Sequence, residues 1–184
     1  RCHSPFGRPA ALITYFPDRM GNGELRSWQS AERFAEPPPT PIEIVVEEGE
    51  GGELLELYDA TIGLMSKRFA AALQHCGVAN VDFYEAVISD IETGERHETH
   101  VAFNVIGAVS AADVTKSRFA APGGLLVAVD FDELVLDAAK ARGADFFRLA
   151  ESVNAIVVSD RVRTAVLAAG IDTLSFVEPE HWLG

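Results

Sequence analysis

The stretch VDFYEAVISDIETGERHETHVAFNVIGAV, residues 81–109, decides the fold class. Residues 81–88 read as a strand returning to the core. In residues 99–109, Val101, Phe103, Val105 and Val109 alternate with smaller or polar neighbours, the period of two that one buried sheet face requires. Between the two runs lies a polar turn, residues 90–95, carrying Thr93 and Gly94, so the runs are expected to pair as a β-hairpin. Adjacent antiparallel strands with no crossover helix between them argue against a doubly wound parallel sheet. The expected class is α+β: a mixed, largely antiparallel sheet with two similar helix-strand units packed on it.

Working upstream, Ser66 is the expected cap of the clearest helix. Its Phe69, Ala72, Leu73 and Cys76 fall at i, i+3, i+4 and i+7 on one face, and Gly77 closes it. Residues 42–47 alternate as a half-buried strand and residues 11–16 read as a first strand. Residues 24–35, which include Trp28, read as a loose helix ended by Pro37, Pro38, Pro39 and Pro41. Downstream, strands are expected at 125–130, 146–149, 155–158 and 174–177, with a helix over 132–142. A second helix over 160–169 has Val162, Ala165, Val166 and Ala169 on its apolar face and Gly170 at its end.

Residues 65–85 slide onto residues 158–178 without a gap. Ser66, Arg68, Ala72, Gly77, Phe83 and Glu85 then meet Ser159, Arg161, Ala165, Gly170, Phe176 and Glu178. The matches fall on the cap, the closing glycine and the inward Phe, so an internal pseudo-repeat is expected; any capped helix leading into a strand would share some of these features. The 184 residues suit a single domain, with 1–40 as an irregular extension bearing one strand and 41–184 as the core.

Hydrophobic residues make up 48% and charged residues 23%, a globular composition. Fifteen Lys and Arg against 28 Asp and Glu leave a net charge of −13, which repels nucleic acid and anionic lipid alike. A basic protein is the better partner, although such acidity also serves solubility. No apolar run approaches the length of a membrane span, and Cys2 and Cys76 form no disulfide framework or zinc-ligand spacing. A cytoplasmic location is expected.

No catalytic constellation emerges. His97, Glu98 and His100 resemble a metalloprotease signature, but the His spacing is three instead of four, and a solvated turn is the simpler reading. His75 and Cys76 are helix neighbours that diverge by about 100 degrees. Neither the Gly21, Gly23 pair nor Gly49, Gly51 and Gly52 follows a strand and opens a helix as a phosphate loop does. Asp130, Asp132 and Glu133 are the residue types of a divalent-ion site, and Ser159, Asp172 and His181 those of a hydrolase triad. A solvated strand end and a helix cap account for them more simply. No cofactor and no metal site is expected.

Several short motifs recur in a fixed order: Met65-Ser66-Lys67-Arg68-Phe69 up to Gly77, Phe103-Asn104-Val105-Ile106-Gly107-Ala108-Val109 with Asp113 and Ser117, and Phe146-Phe147-Arg148-Leu149-Ala150-Glu151-Ser152. Ile156-Val157-Val158-Ser159-Asp160, Ala169-Gly170-Ile171 and Phe176 follow. In that order and spacing the chain is similar, from about residue 40 onward, to a bacterial immunity-protein family. It is the eleventh in the usual catalogue of polymorphic-toxin immunity proteins, first recognised as a domain of unknown function in myxobacteria. The resemblance implies a small cytoplasmic protein that binds and neutralises the toxin encoded beside it, with no catalytic residue. The Arg148 of that family signature, set among apolar residues, calls for a buried carboxylate partner or an escape to the edge.

The expected contact surface is acidic and loop-borne: Glu47, Glu48, Glu50, Glu53, Asp90, Glu92 and Glu95, with Trp28 or Trp182 as exposed aromatic anchors. Two other readings stand beside it: an enzyme using Asp130, Asp132 and Glu133 with a divalent ion, and a regulatory domain that self-associates through a sheet edge.

Overall fold

A computed structural model of the chain describes residues 13–15, 28–46, 52–59, 61–119, 130–141 and 143–182. In chain order these form β1 (Ile13–Tyr15), β2 (Ile42–Val46), β3 (Leu57–Tyr58), β4 (Gly63–Ser66), α1 (Lys67–His75), β5 (Val81–Ser89), β6 (Arg96–His97) and β7 (His100–Val105). There follow β8 (Ala108–Val109), β9 (Arg118–Phe119), β10 (Phe131–Glu133), α2 (Ala138–Ala141), β11 (Phe146–Leu149), β12 (Ser152–Val158), α3 (Asp160–Ala168) and a 3-10 turn at Pro179–His181.

The hairpin expected from residues 81–109 is the centre of the main sheet, where β5 and β7 pair antiparallel with Phe83 opposite Phe103 and Val81 opposite Val105. The sheet order is β1-β2-β5-β7-β4-β3, with β6 continuing beside β5, and β2 and β5 are its parallel pair. A second sheet, β12-β11-β8, joins an antiparallel to a parallel pair, and β9 and β10 form a small ribbon. Mixed, mostly antiparallel sheets with helices packed on them make the fold α+β.

Alternation along the strands separates the core into layers. Met65, Val101, Phe103 and Val105 face the helices, where they meet Phe69 and Leu73 of α1 and Val162 and Val166 of α3. Their neighbours Leu64 and Ala102 point the other way, to Trp28, Ile44 and Ile88. On β11 the same period sends Phe146 to the helix layer, and Phe147 and Leu149 to a third cluster with Phe131 and Leu134. Gly63 is required by this packing, because a Cβ there would lie 2.7 Å from Phe103 ring atoms.

The expected strand over 99–109 is two strands. Gly107 takes φ +89° between β7 and β8, its N–H bonds the Ala31 carbonyl at 2.7 Å, and the chain passes from the main sheet to the second. Trp28 to Ala35 are not helical: Ala31 sits at φ +59°, and the segment is pegged by Trp28, edge-on to Phe34 and Tyr84. Within the helix expected over 132–142, β10 takes the start, paired with β9, and α2 is a single turn begun by Asp137, whose carboxylate accepts the Ala139 N–H at 2.9 Å. Residues 174–177 have no ladder partner among the described residues; Leu174 and Phe176 instead pack onto the helix layer. The strand expected at 125–130 lies, except for Asp130, outside the described residues.

The N-termini of α1 and α3 are clasped in one way. Ser66 Oγ accepts the Phe69 N–H at 3.1 Å and donates to Glu56, whose other carboxylate oxygen takes the guanidinium of Arg68. Ser159 Oγ accepts the Val162 N–H at 3.3 Å and donates to Asp145, which also takes the guanidinium of Arg161. The N–H of each serine bonds the carbonyl of its carboxylate residue, at 2.9 Å in both cases. Arg161 reaches on to the Cys76 carbonyl at the end of α1, and Arg68 feels the charge of Asp172 beyond α3, so the two packed helices run antiparallel.

Candidate functional site

The residues expected to bind a partner are sorted by the fold into three groups. The C-terminal ends of the parallel strands β2 and β5 lie side by side, with Val45 opposite Ser89, so the turn at residues 90–95 leaves the sheet at the end where β2 stops. Glu47, Glu48 and Glu50, which follow β2 in sequence, are outside the described residues, and Glu53 is exposed. In the turn, Glu92 and Glu95 are exposed, whereas Asp90 is half-buried and works inward. Its carboxylate accepts the N–H groups of Glu92 and Thr93 at 2.9 and 3.0 Å. The Thr93 N–H is the largest influence on the Asp90 carboxyl and, with that of Glu92, holds it below its ordinary value against the opposing effect of burial.

The aromatic anchors do not stand as expected. Trp28 is 3% exposed, sealed under the main sheet by Phe34 and Tyr84, and is a core residue. Trp182 is half-buried with its ring 6.3 Å from that of Phe131, closing the third cluster. The exposed apolar residue beside the carboxylates is Ile91, at 71%. The signal for it was a lone large apolar side chain inside a polar turn.

The chemical alternatives come apart in the same geometry. Asp130 and Asp132 are exposed while Glu133 pairs with Arg118 at 3.4 Å, and among the described residues no three His, Cys, Asp or Glu side chains gather as a ligand set. His97 is partly exposed, 3.7 Å from Glu95, but His100 is not in a solvated turn. It is buried on β7, with Nε2 on the Leu55 carbonyl at 2.8 Å and Nδ1 on the Thr99 hydroxyl at 2.9 Å. Burial pushes its pKa down despite the Leu55 carbonyl and the nearby Glu56. Burial also pushes the Glu56 carboxyl up, but Arg68 and Ser66 overcome it and hold Glu56 below the usual carboxylate range. The Cys76 thiol donates to the Leu73 carbonyl, and His75 Nδ1 lies 2.7 Å from the Ala71 carbonyl. Ser159 is committed to its clasp.

Arg148 is the most buried charge among the described residues, 1% exposed. Its Nη2 and Nη1 reach Asp59 at 2.8 and 3.4 Å, and Nη1 also donates to the Val153 carbonyl at 2.6 Å. That carbonyl lies in a bulge where the β11-β12 ladder slips, Arg148 facing Ile156 and Leu149 facing Ser152. The guanidinium therefore ties the second sheet to the loop between β3 and β4 and fixes the bulge. This is an architectural role.

What the fold and surface define is an acidic α+β protein in which Ser66, Ser159, Glu56, Asp145 and Asp90 are engaged in caps, clasps and turns. Among the described residues no helix is long and apolar enough to cross a membrane. The model of the Immunity protein family (Imm11) matches residues 14–180, and the chain belongs to that family. Among curated proteins, none matches.

Proposed function

We propose that this immunity protein binds the toxin encoded beside it, one to one, and neutralises it by covering a working surface, in the bacterial cytoplasm and without catalysis or a cofactor. The observation that carries the reading is membership of the immunity family over most of the chain. The net charge of −13 supports a basic toxin, because a field of that sign speeds encounter with cations and disfavours other acidic surfaces. The acidic loops after β2 and β5, Glu47, Glu48, Glu50, Glu53, Glu92 and Glu95, are the proposed face, with Asp90 as the brace of its turn. A complex of this kind buries at least about 1,000 Å².

Co-expression with the neighbouring toxin gene, followed by size-exclusion chromatography with mass detection and a survival assay, tests the proposal. Co-elution with restored growth is expected. A toxin that kills and is neither bound nor neutralised refutes it, and a divalent-metal titration watching Asp130, Asp132 and Glu133 is then the next experiment. A mass that rises with concentration in the absence of toxin would instead favour self-association through a sheet edge.

A further inference from the structure

Ile91 is the most exposed large apolar residue among those described, at 71% against 54% for Val114 and 50% for Val177. Its exposure is not slack. The turn that carries it is bonded from both ends: Asp90 N–H to the Glu95 carbonyl, Gly94 N–H to the Asp90 carbonyl, both at 2.9 Å, and Glu95 N–H to the Thr93 hydroxyl at 3.2 Å. The Asp90 carboxylate braces the turn from within. An Ile side chain held out on a hydrogen-bonded turn gives up the gain of burial unless something covers it, and a preorganised turn spends little entropy when it is covered.

The surroundings define what fits. Glu92 and Glu95 are exposed on the turn that joins β5 to β6. The nearby Arg96 pairs with Glu43 at 3.1 Å, so the rim stays acidic. A second copy of the chain would set one acidic rim against another. A basic surface with an apolar hollow matches both features.

We propose that the β5-β6 turn anchors the toxin contact: Ile91 fills an apolar socket on the toxin, and Glu92 and Glu95 meet lysines and arginines around it. The proposal rests on the immunity reading. Its test measures affinity of the full chain for the catalytically inactivated toxin domain of the neighbouring gene, by calorimetry, with thermal melts to show that each variant is folded. Ile91→Arg is expected to weaken binding by at least about 30-fold, and Ile91→Val by less than about fivefold. Leu167→Arg, at an equally apolar but 45% exposed position on α3, serves as the control and is expected to bind as wild type. Wild-type chain that does not bind overturns the immunity reading itself. Wild-type binding with Ile91→Arg unaffected, or with Leu167→Arg equally impaired, overturns the anchor alone.

Discussion

Replacing Arg148 by Met keeps the aliphatic stem in its apolar slot and removes the guanidinium. Asp59, 18% exposed, is then left without its cation, and the Val153 carbonyl in the bulge without its donor. Removing one partner of a buried pair costs about 3–5 kcal/mol. Partial access of water to Asp59 places this case at about 3. For a chain of this size each kcal/mol lowers the Tm by about 2–4 °C, so a drop of about 6–12 °C is expected. The double variant Arg148→Met, Asp59→Leu removes the stranded charge, and an apolar replacement of a whole buried pair is close to neutral, so it should recover more than half of the loss. Differential scanning calorimetry of wild type, both single variants and the double closes the cycle. A loss below about 3 °C for Arg148→Met, or a double variant no better than the single, would refute the bolt between the sheets.

Gly63→Ala forces its methyl into the Phe103 ring and is expected to cost about 1–3 kcal/mol in urea unfolding. Ser66→Ala removes the cap of α1 and leaves Glu56 one donor short, a loss of about 1–2 kcal/mol by the same assay. His100 and Glu56 both have pKa values lowered in the folded state from their ordinary 6.5 and 4.5, so each contributes stability that is present above its ordinary value and lost as pH falls through the folded value. Thermal melts should therefore show loss beginning just below pH 6.5, with a flatter profile in His100→Gln until Glu56 titrates; parallel profiles would contradict this.

The hairpin of β5 and β7 was legible because large apolar residues on β7 alternate with smaller or polar ones and the turn between the strands is polar, although β7 is buried on both faces. Both serine caps and the need of Arg148 for a carboxylate were legible for the same reason: the physics is local. What escaped was set by distant partners. β3 and β4 surround a loop with no periodicity, and Gly63 looks like a breaker until Phe103 lies on it. The break at Gly107 depends on Ala31 and Asn80, far away in sequence. The clasp carboxylates Glu56 and Asp145 fall outside the aligned segments, so the alignment of residues 65–85 with 158–178 could not reveal them. Of the proposed contact face, acidity was visible in the composition. That Trp28 is core depends on packing that no local pattern encodes, whereas the exposed Ile91 is marked in the sequence as a lone large apolar side chain inside a polar turn.

The helix layer has a consequence for synthesis. Met65, Phe69, Leu73 and Phe103 are covered by Phe146, Val162, Val166 and Ile171, so when the chain up to residue 105 has left the ribosome the strands of the main sheet and α1 are out, while the apolar groups that β11 and α3 cover are still exposed. At about 5–20 residues per second, the chain from 105 to 171 takes roughly 3–13 seconds more to appear. Through that interval the nascent chain is a candidate for chaperones and for aggregation.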